Sequence, residues 1–249
     1  MVAEVAVVAE VTSIMEHDVE QKGIEMVQDT ELVNLGKGAI FDLDGTLLDS
    51  MGVWDQVDAD FLHARGFAVP DDYGAKVAAM EFRQIAEYTI HRFQLDDTPE
   101  ALMAEWNSRA AHAYGTVVET KPHAIEYLRY LKTTGARLAV ATSLPPALRG
   151  PAMEHTGIAP YFDVVCDVEE AGGAGKTSPD VYRLAASRMG VEAESCTVFE
   201  DLLTGMKAAK SIGMQVWAMH DDSSDREWPA ISDVADGVLF DFLGAPRIL

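Results

Sequence analysis

The chain has 249 residues, 48% of them hydrophobic, which is enough for one large folded core and a smaller second domain. Its 41 acidic and 19 basic residues give a formal net charge of −22, so binding to the phosphate backbone of DNA or RNA, which needs basic patches, is not expected. The sequence also lacks an apolar run of about 18 residues, so we expect no membrane-spanning helix.

Residues 1–36 are predicted to be an N-terminal extension ahead of the first strand. Val2, Val5 and Met15 fall at the spacing of one helix face, although the many valines of this segment lower its helix propensity. The segment lacks the basic start of a secretory signal, so a cytoplasmic location is expected. Its role stays open between an oligomer contact and a loosely attached tail, and both a monomer and a homodimer fit the sequence.

The most informative segment runs from Lys37 to Thr46, where a short apolar strand leads directly into two carboxylates, Asp42 and Asp44. A strand that ends at Asp42 and turns at Gly45 can offer one carboxylate and one backbone carbonyl to the same cation. Mg²⁺ prefers such hard oxygen ligands, and a carboxylate beside it can attack phosphorus. A calcium-binding EF-hand loop is excluded, because its glycine would be sixth and its closing glutamate twelfth. An ordinary strand-to-turn junction is the remaining alternative for this segment taken alone.

Beyond this segment, apolar strand segments alternate with helical segments for most of the chain. The alternation predicts an α/β fold with a Rossmann-like, mainly parallel sheet and helices on both faces. In such sheets, ligands bind at the carboxyl ends of the strands. The core is predicted to comprise residues 37–51 and 122–249. Strands are predicted near residues 38–42, 137–142, 162–166, 196–200, 214–219 and 237–240.

Residues 52–121 show helical periodicity and no strand signal. Trp54, Val57, Phe61 and Leu62 are spaced as one apolar stripe of a helix. The segment is therefore predicted to be a small all-helical domain inserted after the first strand. Its aromatic residues are interpreted mainly as packing residues of that domain.

Polar residues also follow two of the later predicted strands. Thr142 and Ser143 end the second strand, and Glu200 and Asp201 end the fourth. Because parallel strands end at the same edge of a sheet, these residues should converge with Asp42. The sequence therefore predicts hydroxyls and several carboxylates in one site.

Lys176 belongs to a further candidate motif. It lies in a glycine-rich segment that resembles a nucleotide-binding P-loop, and Pro179 follows shortly after it. The P-loop pattern would require a glycine where the chain has Glu170, and Pro179 interrupts the run of backbone amides. The P-loop interpretation is therefore disfavoured.

Four motifs are now identified, at residues 37–46, 138–143, 176–180 and 197–201. Taken together and in their order along the chain, they resemble the signatures of the haloacid dehalogenase superfamily of phosphohydrolases. The inserted helical segment is similar to the cap of the subclass that contains β-phosphoglucomutase-like and phosphoglycolate phosphatase-like proteins. The resemblance implies a Mg²⁺-dependent phosphatase that hydrolyses a small phosphorylated metabolite, a sugar phosphate or similar phosphomonoester. Hydrolysis in this family proceeds through an aspartyl-phosphate.

The resemblance also assigns roles to individual residues. It implies that Asp42 is the nucleophile and that Asp44 is the acid and base. Phosphate binding is implied for Thr142, Ser143 and Lys176. Metal binding is implied for Asp42, Asp44, Glu200 and Asp201.

Arg83 is a candidate substrate contact. It begins a predicted helix where related enzymes place a loop that contacts the substrate. A solvated surface position is an equal alternative for this residue, because charged residues on helices usually face water.

Two other functions stay open at this point. A phosphosugar mutase of the β-phosphoglucomutase type is the first, but Thr46 stands where such mutases more often have valine. Trp54 likewise stands where they have a histidine, so both positions favour hydrolysis. A non-catalytic binding protein on the same scaffold is the second, and the presence of Asp42, Asp44 and Lys176 argues against it.

Overall fold

The computed structural model describes residues 31–77, 80 and 82–249. The segment with helical spacing within the first fifteen residues lies outside this range, as do Ala78, Ala79 and Glu81. The fold given below is that of residues 34–249, which form one unit.

The sheet of this unit is parallel throughout, with the strand order β3-β2-β1-β4-β5-β6. β1 is central, and all four of its residues are buried, as expected for a strand that is covered on both faces. The prediction of a Rossmann-like α/β fold is confirmed. The strands are β1 Gly38–Phe41, β2 Arg137–Thr142, β3 Val164–Asp167, β4 Cys196–Glu200, β5 Gln215–Met219 and β6 Gly237–Leu239.

Helices cover both faces of the sheet. Successive side chains of a strand point to opposite faces, so Ala39 and Phe41 join one hydrophobic cluster and Ile40 joins the other. Phe41 stacks on Phe199 of β4 with ring centroids 4.6 Å apart. The helices outside residues 52–121 are α5 Ala124–Thr133, α6 Pro146–His155, α7 Asp180–Met189, α8 Leu203–Lys210 and α9 Trp228–Val234.

β3 begins two residues later than predicted. A 3₁₀ turn occupies Ala159–Tyr161, and Asp163 then bonds to β2 with its own side chain. The Asp163 carboxylate accepts a 2.9 Å hydrogen bond from the backbone N–H of Leu138. The backbone N–H of Asp163 also donates to the carbonyl of Leu138 over 2.9 Å. The side chain therefore replaces only the backbone acceptor for Leu138, and the regular strand starts at Val164.

The segment between β1 and β2 contains four helices among its described residues: α1 Val53–Ala64, α2 Tyr73–Val77, α3 Phe82–Phe93 and α4 Pro99–Thr116. Val57, Phe61 and Leu62 are buried, whereas Trp54 is 38% exposed at the start of α1. The predicted stripe is therefore right except at Trp54. The predicted boundaries of this helical domain stay a prediction.

The two connections that lead into and out of the helical segment run side by side. The backbone N–H of Asp49 donates to the carbonyl of Glu119 over 2.9 Å, and the N–H of Lys121 donates to the carbonyl of Leu47 over 2.8 Å. Lys121 also forms a 2.6 Å ion pair with Asp221, which follows β5. Across the described part of the chain, no helix combines the length and apolar character needed to span a bilayer.

Candidate active site

The site is built at the carboxyl ends of β1, β2 and β4. Phe41 pairs with Val140 of β2 and with Phe199 of β4, so residues that follow these strands meet at one edge. The backbone N–H of Asp42 donates to the carbonyl of Phe199 over 3.0 Å, which fixes the backbone of Asp42 against β4. The sheet thus brings together residues that are more than 150 positions apart in sequence.

Lys176 lies between the Asp42 and Glu200 carboxylates. It is buried, and its Nζ contacts Oδ1 of Asp42 and lies 2.6 Å from Oε1 of Glu200. Burial opposes the charged amine, but the two carboxylates raise the pKa of Lys176 above its ordinary value. The amine is therefore a fixed positive charge beside the predicted nucleophile.

Glu200 is fully buried, and both of its carboxylate oxygens accept two hydrogen bonds. Oε1 accepts from Lys176 and from the hydroxyl of Tyr182 at 2.9 Å. Oε2 accepts from the backbone N–H groups of Asp201 and Leu202 at 2.8 and 3.0 Å. Burial raises the pKa of Glu200, but the charge of Lys176 and these donors outweigh it and lower the pKa below its usual value. Glu200 therefore orients Lys176 and the turn after β4.

Asp201 has one satisfied and one orphaned carboxylate oxygen. Oδ1 accepts a 3.2 Å hydrogen bond from the hydroxyl of Thr46, whereas Oδ2 is buried and has no hydrogen-bond partner among the described residues. Burial, followed by the charges of Glu200 and Asp42, raises the pKa of Asp201 to about 9. An orphaned buried carboxylate oxygen is costly unless a cation or proton meets it.

The donor set fits a hard divalent cation. Three carboxylate oxygens, one each from Asp42, Glu200 and Asp201, lie within 4.8 Å of one another. Gly45 has a φ of +77°, and a Cβ at this position would lie 2.6 Å from Oδ2 of Asp201. The missing side chain therefore keeps space open beside the orphaned oxygen. Clustered carboxylate oxygens with such space are the ligands that Mg²⁺ takes in proteins.

Only one of the two carboxylate oxygens of Asp44 is hydrogen-bonded to described residues. Its Oδ1 accepts hydrogen bonds from the hydroxyl of Ser50 at 2.6 Å and from the hydroxyl of Tyr114 at 2.8 Å. No hydrogen bond among the described residues engages Oδ2, and the residue is partly exposed. An oriented carboxylate with one free oxygen can exchange protons with a ligand.

Thr142 and Ser143 end β2 as predicted. Thr142 is buried, and its hydroxyl accepts a 3.0 Å hydrogen bond from the backbone N–H of Leu144, which shapes the turn. Ser143 is exposed at the start of this turn. Both residues therefore lie at the same sheet edge as Asp42, and their phosphate-binding role stays a prediction.

Arg83 is not brought to this edge. It lies in the first turn of α3 and forms an ion pair with Glu100, with 52% of its side chain exposed. The structure therefore places Arg83 at the surface of the helical segment, engaged with another residue of that segment. Its role as a substrate contact stays a prediction.

Four contacts of the site were not predicted from the sequence. Thr46 lies in the first motif and Ser50 follows four residues later, and their hydroxyl groups beside several acids were a usable signal. Tyr114 lies 70 residues from Asp44. It follows other buried residues of α4 at a spacing of four, which indicated that its side chain is buried but not that it contacts Asp44. Tyr182 likewise follows helical spacing in α7, so its hydrogen bond to Glu200 required the fold.

The sequence model of the haloacid dehalogenase-like hydrolases matches residues 37–213, which hold all of these site residues. This chain belongs to the haloacid dehalogenase-like hydrolase family. The match covers well over half of the chain, and it agrees with the motifs and with the parallel sheet. The prediction of the family is confirmed.

Two relatives support the same assignment. The phosphorylated carbohydrates phosphatase of Thermotoga maritima is 25% identical over 179 residues, which are 72% of this chain and 82% of the relative. The fructose-1-phosphate phosphatase YqaB of Escherichia coli is 30% identical over 179 residues, covering 71% of this chain and 93% of the relative. The prediction of a phosphatase-type hydrolase is confirmed by the family and by both relatives.

A solved structure supports the fold. A candidate β-phosphoglucomutase from Thermotoga maritima superposes with a TM-score of 0.74 at 22% identity, covering 82% of this chain and 94% of that protein. At this identity, the likeness establishes a shared architecture and leaves the reaction to be argued from the site.

Proposed function

We propose that this hydrolase is a Mg²⁺-dependent phosphatase of small phosphorylated metabolites and that it works through a phosphoryl group carried on Asp42. The observation that supports this most is the position of Asp42 between a fixed ammonium, Lys176, and the orphaned oxygen of Asp201. A nucleophilic carboxylate, a positive charge and a cation site then lie together. This is the combination that phosphoryl transfer needs, because its catalysis is mostly positioning and charge stabilisation.

In the first step, an Asp42 carboxylate oxygen attacks phosphorus in line with the leaving oxygen. The new bond joins the Asp42 oxygen to phosphorus, and the bond from phosphorus to the leaving oxygen breaks. Asp44 donates a proton from Oδ2 to that oxygen, so the product leaves as an alcohol. Lys176, with the Thr142 hydroxyl and the Ser143 backbone amide, stabilises the charge on the transferring phosphoryl group.

In the second step, Asp44 accepts a proton from water, and the water oxygen attacks phosphorus. The bond between phosphorus and the Asp42 oxygen breaks, which releases inorganic phosphate and restores the Asp42 carboxylate and the protonated Asp44. One residue thus acts as acid and then as base. Ser50 and Tyr114 orient Asp44 for both tasks by holding Oδ1.

The Mg²⁺ ion would be held by Asp42, the backbone carbonyl of Asp44 and Asp201, with Glu200 adjacent. When bound, the ion neutralises negative charge on the phosphoryl group and on the clustered carboxylates. The orphaned Oδ2 of Asp201 and the space beside Gly45 support this assignment.

The substrate class is proposed from the relatives. Their names describe action on phosphorylated carbohydrates and on fructose 1-phosphate. We therefore propose a phosphorylated carbohydrate or a similar small phosphomonoester for this chain, which acts in the cytoplasm as a monomer or homodimer. A phosphosugar mutase is the second candidate, because a candidate β-phosphoglucomutase shares the fold.

The experiment that tests this proposal compares Asp42→Asn with Asp49→Asn, using p-nitrophenyl phosphate and a panel of sugar phosphates. Asp49 is an exposed acid of the same loop and serves as the matched control. We expect phosphate release that needs Mg²⁺ in the wild type and in Asp49→Asn, and none in Asp42→Asn. Isomerised sugar phosphate without phosphate release would favour the mutase. Equal activity in all three proteins would overturn the proposal.

A further inference from the structure

A cavity of about 510 Å³ lies within the helical segment, between α1, α2, α3 and α4. Its wall is mostly aromatic and apolar, and among the described residues its carboxylates are those of two aspartates of α1. The residues that matter for its chemistry are Trp54, Asp55, Asp58, Tyr73, Phe82 and Trp106.

The two aspartates have no cationic partner among the described residues. Asp55 and Asp58 are one helical turn apart on α1 and face the same cavity. Asp58 is half-buried, and burial followed by the charge of Asp55 raises its pKa to about 6. No lysine or arginine of the described chain lines this cavity. The two negatively charged aspartates on this apolar wall therefore lack a positively charged partner among the described residues.

The nearby arginines are engaged elsewhere. Arg83 is paired with Glu100, Arg92 lies 2.6 Å from Asp72, and Arg65 is hydrogen-bonded to carboxylates of α4 and of the loop before it. None of these cations reaches Asp55 or Asp58 with an ion pair. The negative potential of the cavity is therefore available to a ligand.

The aromatic residues form a continuous surface next to these acids. The Trp54 and Phe82 rings lie 5.6 Å apart, and the Phe82 and Trp106 rings lie 5.7 Å apart. Aromatic faces attract organic cations. The Trp106 Nε1 is buried without an acceptor among the described residues, so this wall also contains an unsatisfied donor.

The same two helices connect the cavity to the site. α1 begins just after Ser50, which donates to Asp44, and it carries both aspartates of the cavity. α4 carries Tyr114, which also donates to Asp44, and carries Trp106 eight residues earlier. Eight helical residues span about 12 Å. A phosphorylated chain of about six carbons has a comparable length.

We propose that this cavity receives the leaving group and that Asp55 and Asp58 select phosphomonoesters whose leaving group carries a protonated amine. This inference rests on the proposed phosphatase function. It assigns the substrate class as amino-sugar or amino-alcohol phosphates. An ammonium would lie against the two carboxylates, with its carbon frame against Trp54 and Phe82.

The wall chemistry favours this class over the alternatives. A leaving group with a second phosphate or a carboxylate would meet two negative charges. A neutral polyol needs donors as well as acceptors from the protein. The Tyr73 hydroxyl, one of the few donors on this wall, already shares a 2.7 Å hydrogen bond with Thr89. The Trp106 Nε1 can donate to a hydroxyl of either ligand, so the difference lies in charge. An ammonium compensates the two carboxylates, whereas a polyol leaves them uncompensated.

The test compares pairs of phosphate esters that differ only in whether the leaving group carries an amino group or a hydroxyl group at one position. The first pair is glucosamine 6-phosphate and glucose 6-phosphate, and the second is 6-aminohexyl phosphate and 6-hydroxyhexyl phosphate, whose chains span a similar distance. The measured quantity is kcat/KM at pH 7.5 with Mg²⁺, and p-nitrophenyl phosphate reports the basal reaction. The variants are Asp58→Asn and Asp55→Asn, and Asp60→Asn is the control. Asp60 lies on the same helix but bonds to Gln56 at the surface.

We expect the wild type to prefer the amine of at least one pair by about ten-fold, which is a modest electrostatic selectivity. This ratio should fall toward one in Asp58→Asn and in Asp55→Asn, and persist in Asp60→Asn. Asp55 is exposed, so its replacement tests the charge without disturbing packing.

Two outcomes would overturn the inference. If the wild type turns over p-nitrophenyl phosphate but prefers neither amine ester, the inference fails and the phosphatase proposal stands. If the preference exists but survives in both aspartate variants, the cavity is not its source. Absence of turnover with every ester, including p-nitrophenyl phosphate, would instead overturn the proposed function on which the inference rests.

Discussion

The hydroxyl of Tyr114 donates a 2.8 Å hydrogen bond to Oδ1 of Asp44, across 70 residues of sequence. Tyr114 lies in the last turns of α4, whereas Asp44 follows the central strand of the sheet. The helical segment therefore takes part in orienting the proposed acid and base. Its packing therefore contributes to the position of the Asp44 carboxylate.

The first prediction concerns this contact. Tyr114→Phe keeps the ring but removes the donor, so Asp44 loses half of the support on Oδ1. We expect kcat for an alkyl phosphate to fall by about ten-fold, with a smaller effect on p-nitrophenyl phosphate, whose leaving group needs no acid. Tyr127→Phe is the control, because Tyr127 is also buried and donates one hydrogen bond, to the carbonyl of Pro246. Equal losses in the two variants would point to a general packing defect.

The second prediction concerns the buried charges around Lys176. Lys176→Met leaves the Asp42 and Glu200 carboxylates without their cation, so without Mg²⁺ the free energy of unfolding should fall by about 3 kcal/mol or more. Adding Glu200→Gln to this variant should recover part of that loss, because one uncompensated charge is removed. Urea unfolding in EDTA measures both effects.

The control for Lys176 is Lys132→Met. Lys132 pairs with Asp163 at 3.0 Å on the surface, and such pairs contribute about 1 kcal/mol or less. A loss in Lys176→Met that is no larger than in Lys132→Met would contradict the account of the buried charge cluster.

The third prediction concerns the space beside Asp201. Gly45→Ala would place a Cβ 2.6 Å from Oδ2 of Asp201, in a backbone conformation that alanine rarely adopts. We expect Mg²⁺ affinity, measured by isothermal titration calorimetry, to fall by at least about ten-fold. Gly36→Ala is the control, because Gly36 has a similar φ of +80° but open space around it. Both variants should lose about 1 to 2 kcal/mol through backbone strain, but only Gly45→Ala should lose metal affinity.

The fourth prediction concerns pH and Asp58. Burial and then Asp55 raise its pKa from 3.8 to about 6 in the folded protein. The folded state therefore binds more protons than the unfolded state between about pH 4 and 6, so stability from this group falls as pH rises through that window. Asp58→Asn should raise the free energy of unfolding at pH 7 by about 1 kcal/mol, after allowance for its partial exposure. The gain should vanish near pH 4, and a gain that is constant with pH would contradict the assignment.

The sheet could be predicted because each strand is a short apolar run that ends in polar residues. In β1 and β4 these endings, Asp42 and Glu200, are also the site residues, so one local pattern predicted both the fold and the chemistry. Lys176 could be recognised as a site residue only through its motif. Its placement between two carboxylates depends on the loop before α7, which periodicity does not describe.

The remaining features depend on contacts over long distances in sequence. Tyr114 and Tyr182 are spaced like ordinary packing residues, and only the fold directs their hydroxyl groups to Asp44 and Glu200. The orphaned oxygen of Asp201 results from burial by several elements together, so no local sequence pattern predicts it. The acidic wall of the cavity likewise requires α1 to lie beside α3 and α4.

The most direct test of the central claim is identification of the residue that carries the phosphoryl group. Asp44→Asn should slow the second step, so with p-nitrophenyl phosphate and Mg²⁺ the phosphorylated enzyme should accumulate. Acid quenching, borohydride reduction and peptide mass spectrometry then locate the modified carboxylate. We predict one modified residue, Asp42, formed in proportion to the burst of p-nitrophenol. A burst without modification of Asp42, or modification of a different residue, would contradict the account.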